Sequence, residues 1–291
     1  MENQILEVEG LCKKYHGFQL QNVSFGLEAG YILGLIGRNG AGKTTLMKLI
    51  QNIVVPNAGT VRIHGYDYKK KEVEAKNEIG FIMEHPFFDQ ISLEKNAALF
   101  GRYYKKYDKY IVENYLQRFG LDPKQNYGEL SKGMQTKFQL SFALAHQAKL
   151  LIMDEPTGGL DPIFRREFLT ILQEVAEEHG VAIIISTHIT SDLDKIADYI
   201  ALIDDGELIF YKTKEELMDE YWMVKGSREL LKKIPNSTFI SIRKRNQGFE
   251  ALTSNKQLCE SYCQDTDQVL FERATIEDIM YFINKGRRET I

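Results

Sequence analysis

The sequence predicts an α/β protein, with an antiparallel β region, then a parallel core sheet flanked by helices, then a small C-terminal α+β appendage. Three observations carry this. Apolar runs of strand length ("YILGLI", "EIGFIM", "LLIMD", "VAIIIST") alternate with segments of helical spacing, the grammar of a sheet covered on both faces. A glycine-rich stretch, "GRNGAGKTT", joins the first of these strands to a helix. Residues 1 to about 30 instead alternate apolar and polar positions, as in "QILEVEGL" and "LQNVSFGL".

In chain order, "YILGLI" reads as a doubly buried strand, the glycine loop follows, and "KTTLMKLIQNI" has helical spacing. "EIGFIM" is expected to be a strand. "SLEKNAALFGRYY" and "DKYIVENYLQRFG" are expected to be helices, the second closed by Gly120. "SKGMQTKFQLSFALAHQ" reads as a helix with Ser131 as its N-cap. "LLIMD" and "VAIIIST" are buried strands on either side of an amphipathic helix from about Pro162 to His179. Beyond about Tyr221 the pattern becomes short strands ("STFISIRKR", "GFEALTS", "DQVLFER") with helices between and after them, ending in "TIEDIMYFINKG". The expected division is a domain over 1–221 and a smaller one over 222–291.

The chain has 291 residues, 43% of them hydrophobic, and no apolar run approaches the ~20 residues of a membrane-spanning helix. A net charge of -4 gives no general affinity for nucleic acid, so none is expected as a partner. "MENQILEVEG" lacks the features of a signal peptide, which points to the cytoplasm. Cys12, Cys259 and Cys263 suit a reducing compartment. Cys259 and Cys263 have the spacing of one helix face, but with no second pair or nearby His they read as free thiols.

Chemistry concentrates at the glycine loop. Gly37, Gly40 and Gly42 allow the backbone to turn its N–H groups inward, with Asn39, Ala41 and Thr45 completing the cradle at the positive end of the following helix. Lys43 would reach the β and γ phosphates of ATP, and Thr44 would supply a hydroxyl to Mg²⁺. "LLIMDEP" runs four apolar residues into two acids where a parallel strand ends, the edge at which ligands bind. Asp154 is expected to hold the metal and Glu155 to orient and deprotonate the attacking water.

What separates this chain from kinases, GTPases and helicases is "LSKGMQ" at 130–135, followed by the acid pair, "GGLDP" and "STH". In that order these resemble the ATP-binding subunit of ABC transporters over about residues 4–220. The resemblance implies the P-loop NTPase cassette of that family, with a helical subdomain at about 86–147, and a head-to-tail dimer that sandwiches two ATPs. Ser131 and Gly133 would then face the γ phosphate held by the opposite subunit, His188 would contact that phosphate and help hold Glu155, and Asp161 would carry information across the dimer. Tyr15 resembles the aromatic on which adenine stacks, or is a tyrosine of the β region. Lys132 and Met134 depart from the usual LSGGQ. Glu84, where the family usually has glutamine, together with the LSxGM form of the signature, resembles the branch exporting antibiotics and peptides, such as the bacitracin-resistance ATPases. It would touch the metal through water or be a solvated loop acid.

The resemblance implies a separate transmembrane permease, with the chain peripheral on the cytoplasmic side; Phe87, Phe88 and Ile91 offer a surface for it or pack the helical subdomain. The function expected is ATP hydrolysis driving an exporter, as a homodimer or a heterodimer. An importer subunit, or an ATPase of the same superfamily acting on ribosomes or DNA, is the alternative.

Overall fold

A computed structural model describes residues 4–83, 87–263 and 269–289. The chain divides into two compact units, residues 1–189 with 196–211, and residues 190–195 with 212–291. No helix of the described residues is long and apolar enough to cross a membrane.

The first unit opens with a long antiparallel hairpin, β1 (Gln4–Tyr15) and β2 (Phe18–Glu28). After β3 (Ile32–Ile36) and α1 (Lys43–Ile50), strands β4 (Ala58–Ile63) and β5 (Tyr66–Asp67) extend the antiparallel region through the pairing of β4 with β1. Helix α2 (Tyr68–Asn77) leads to β6 (Ile79–Ile82). Helices α3 (Leu93–Gly101), α4 (Lys109–Arg118) and α5 (Lys132–Ala145) follow, then β7 (Leu150–Asp154), α6 (Pro162–His179) and β8 (Ala182–Ser186). Strands β9 (Tyr199–Asp204) and β10 (Glu207–Thr213) complete this stretch, while helix α7 (Thr190–Ile196), between β8 and β9, falls in the second unit up to Lys195.

The ten strands form one sheet in the order β5-β4-β1-β2-β10-β9-β3-β8-β7-β6. From β9 to β6 every neighbouring pair is parallel, as the buried apolar runs require. All five residues of β3 and all five of β8 are buried. Helix α6 shows why a charged sequence folds against such a sheet. Asp161 caps it by accepting from the N–H groups of Ile163 and Phe164, Pro162 sits in its first turn, and Gly180 closes it at φ 62°. Its buried positions, Phe164, Phe168, Leu169, Ile171, Leu172, Val175 and Ala176, repeat at helical spacing.

The helical segment has an aromatic core. Phe88 is buried there against Phe100, Tyr127, Phe138 and Phe142, so of the two roles open to it from the sequence it takes the packing one. Phe87 is 48% exposed and Ile91 is half-buried. Two polar anchors fasten the segment to the sheet. Buried Glu78, the C-cap of α2 just before β6, accepts from Lys106 at 2.9 and 3.2 Å and lies 3.3 Å from His64. His146, which ends α5, stacks on Tyr104 at 4.0 Å, with its ring nitrogens each 3.0 Å from a carbonyl, those of Phe142 and Ile79.

The second unit continues with α8 (Lys214–Glu220), β11 (Trp222–Gly226), α9 (Arg228–Leu231), β12 (Ser241–Lys244), β13 (Phe249–Thr253), α10 (Lys256–Ser261), β14 (Val269–Arg273) and α11 (Ile276–Glu289). Its sheet has the order β12-β13-β11-β14, antiparallel throughout. Val224, Leu230, Phe239, Phe249 and Ala251 form its core, together with Cys259 and Cys263, which are free and buried. Burial pushes both thiols upward, away from thiolate chemistry. The Lys256 ammonium lies 3.8 Å and the Arg273 guanidinium 4.8 Å from the centre of the Trp222 ring.

Burial lowers the His146 pKa from 6.5 to about 4, outweighing the two carbonyls and the charge of Glu78. The folded chain therefore refuses a proton that the unfolded chain accepts. Its contribution to stability is complete above pH 6.5 and is lost as pH falls toward 4. Denaturant titrations across this window are expected to show a shallower pH dependence for His146→Phe, which keeps a ring against Tyr104, than for the unaltered protein.

Candidate functional site

Strands β3, β8 and β7 are adjacent and parallel, so their carboxyl ends open onto one edge of the sheet. The glycine loop follows β3, Asp154 and Glu155 end β7, and Thr187 and His188 follow β8. Strand register makes the alignment lateral, with Asp154 opposite Ser186 and Ser186 opposite Leu35.

The loop takes a conformation that side chains would obstruct. Gly37 has φ 151°, and a Cβ there would lie 2.2 Å from the Ile203 carbonyl oxygen. Gly42, at φ 117°, caps α1 without a side chain, and a Cβ on it would come within 3.0 Å of Phe18. The first turn of α1 therefore keeps its N–H groups directed at the loop. Lys43 is buried, and its ammonium donates to the carbonyls of Gly37 at 2.6 Å and Arg38 at 3.1 Å. Burial lowers its pKa, while the charges of Glu155 and Asp154 act in the opposite direction. Thr44 Oγ1 donates to Asp154 Oδ2 at 3.4 Å. The Asp154 carboxyl is pushed up by burial first; the charge of Glu155 adds to this, and Ser186, Lys43 and Thr44 oppose it.

Arg38, Asn39, Gly40, Gly42, Lys43, Thr44, Thr45, Asp154 and Glu155 share a cleft of about 470 Å³ with Phe18. Ala41 is buried, and its carbonyl accepts from Gly206 N–H at 2.9 Å. His188 is exposed and places Nδ1 2.7 Å from Glu155 Oε2. Glu155 itself is left-handed, φ 49°, an uncommon conformation for a residue with a Cβ, and its N–H donates to the Ser186 carbonyl at 2.8 Å.

The other sequence-selected residues lie elsewhere. Ser131 caps α5, accepting from Met134 N–H at 3.3 Å, and Gly133 sits in the first turn. Neither lines the cleft of its own chain. A Cβ on Gly133 would meet Leu160 at 3.5 Å, and the Lys132 stem lies 3.6 Å from one on Gly159, so the start of α5 rests on the "GGLDP" segment. Tyr15, 40% exposed beneath Lys13, is at the end of β1, and the residue of that hairpin lining the cleft is Phe18. Phe18 was not singled out from the sequence; its signal was an aromatic on the return side of the turn in "YHGFQ". Glu84 lies outside the described residues.

Comparison with known proteins accords with this geometry. Residues 20–158 match the ABC transporter family. The ABC transporter ATP-binding protein YtrB of Bacillus subtilis (strain 168) is 31% identical over 218 residues, 75% of each chain. The chain belongs to the ABC transporter ATP-binding proteins. The bacitracin transport ATP-binding protein BcrA of Enterococcus faecalis is 34% identical over 209 residues, 70% of this chain and 68% of its own length. A solved ATP-binding subunit of an ABC transporter superposes with a TM-score of 0.68 at 28% identity, covering 73% of this chain and 91% of that one. The fold is thus the ABC ATPase cassette, and the protein is an ATP-binding ATPase subunit of an ABC transporter. Subunits of this family dimerise and work with transmembrane permease partners.

Because the Gly37 site has no room beside the Ile203 carbonyl, Gly37→Ala is expected to cost about 1–3 kcal/mol of stability and to weaken ATP binding about tenfold or more. A thermal melt and a fluorescent-nucleotide titration of the variant would check both.

Proposed function

We propose that this ABC ATPase subunit drives export of antibiotics, drugs or toxic peptides through a separate permease, peripheral to the membrane on its cytoplasmic side. The observation that carries the catalytic part is the convergence of Lys43, Thr44, Asp154, Glu155 and His188 on the carboxyl ends of three neighbouring strands. Support for the cargo class comes from the similarity to a bacitracin transport ATP-binding protein and to a linearmycin resistance ATP-binding protein.

In this assignment the cradle of Gly37, Asn39, Gly40, Ala41, Gly42 and Thr45 receives the phosphates, and Lys43 exchanges its loop carbonyls for phosphate oxygens. Thr44 and Asp154 fit Mg²⁺: they are hard oxygen donors already 3.4 Å apart, and the buried Ser186 stands opposite Asp154 in the sheet. When bound, Mg²⁺ neutralises charge on the β and γ phosphates. Glu155 is the base that orients and deprotonates water, and His188 turns between its carboxylate and the γ phosphate. Tyr15 offers an exposed face to adenine. Ser131 and Gly133, exposed or half-buried at the start of α5, serve the nucleotide of a second subunit, identical or related. Phe87, 48% exposed, is the aromatic left available to the permease.

Glu155→Gln is expected to lose at least ~10²-fold in ATP turnover while retaining nucleotide binding. Turnover at the parental rate would remove Glu155 as the base. For the transport assignment, detergent-solubilised membranes from the source cell are expected to yield a near-stoichiometric multi-span protein on a tag carried by this chain. Recovery with ribosomes, nucleic acid or no partner would overturn it.

A further inference from the structure

The loop after β8 contributes a second side chain to Glu155. Thr187, 1% exposed, donates its hydroxyl proton to Glu155 Oε2 at 3.3 Å, and its Oγ1 accepts from Ile189 N–H at 3.0 Å. A hydroxyl has one proton, so the N–H that occupies a lone pair also settles where that proton points. His188 adds its own N–H at 3.4 Å and Nδ1 at 2.7 Å, so three donors converge on Oε2. No donor to Oε1 accompanies them among the described contacts.

The two side-chain donors differ in freedom. His188 has a 68% exposed side chain and can rotate away, whereas Thr187 is β-branched, buried and tied to the backbone of its own loop. A left-handed Glu155 with three rotatable side-chain bonds needs a donor that stays in place when the imidazole leaves. We propose that Thr187 is a positioning residue for ATP hydrolysis, holding Glu155 Oε2 so that Oε1 presents to the attacking water while His188 turns to the γ phosphate. The inference rests on Glu155 being the base.

The test compares kcat and KM for ATP in Thr187→Val, Thr187→Ala and Thr187→Ser, alongside Glu155→Gln, with ATP affinity and melting temperature measured for each. Loss of a hydrogen bond to a charged group is expected to lower kcat about tenfold to a hundredfold in the Val and Ala variants, with KM and ATP affinity within about twofold. Thr187→Ser, which restores the hydroxyl but not the methyl, is expected to recover to within about threefold of the parent. If the Val variant does not fold, the Ser and Ala pair, differing only in the hydroxyl, decides. Equal kcat in Ser and Ala would overturn the proposal, as would parallel losses of ATP affinity and melting temperature that Ser does not relieve. An active Glu155→Gln identifies failure of the base assignment itself, whereas an inactive Glu155→Gln with a fully active Thr187→Ala isolates failure of the positioning role.

Discussion

The constraint on which the structure depends is the side-by-side parallel pairing of β3, β8 and β7. A parallel sheet delivers the ends of all its strands to one edge, and backbone hydrogen bonds fix how far each projects. The glycine loop, the two acids and the Thr–His pair come from positions 37–45, 154–155 and 187–188, far apart in sequence, and meet because Leu35, Ser186 and Asp154 are in register. A slip by one residue would turn Asp154 to the other face of the sheet and separate it from Thr44. The buried apolar strands thus serve two ends, supplying the core and setting the geometry of the cleft.

Much of this was legible because the informative residues are contiguous. "GRNGAGKTT" fixes its own loop, and α6 runs from Pro162 to His179 as its cap and apolar spacing indicate. What escaped depends on partners distant in sequence. Strand β5 has only two residues, and β4, β9 and β10 acquire identity by joining a sheet already present. Strand β11, central in the second sheet, is masked by Lys225, whose charge is paired with Glu272 across the strands. Neighbouring Phe87 and Phe88 cannot be told apart by composition, and it is the aromatic cluster that takes Phe88 inside.

The site was legible in residue type more than in contact. Lys43, Thr44, Asp154 and Glu155 share the cleft that their motifs suggested. Nothing in the string "DEP" announces a left-handed glutamate, and nothing in "STH" shows a hydroxyl locked by the amide two residues later. Phe18 reaches the cleft through the turn of the first hairpin, a relation that depends on β-pairing rather than on a motif. The signature segment is intelligible locally, as a capped helix start resting on "GGLDP", and in the proposed assembly a second subunit would give its exposed face a use.

The phosphate loop is braced from behind. Ala41 accepts from Gly206, the Gly206 carbonyl accepts from Gln21, and Gly37 lies flush against the Ile203 carbonyl. The turn between β9 and β10 thereby immobilises the cradle as part of folding, with two strands of the sheet as its backing. Conformational entropy that a floppy loop would surrender on meeting ATP has already been lost, so more of the phosphate attraction remains to discriminate between nucleotides and to close a dimer.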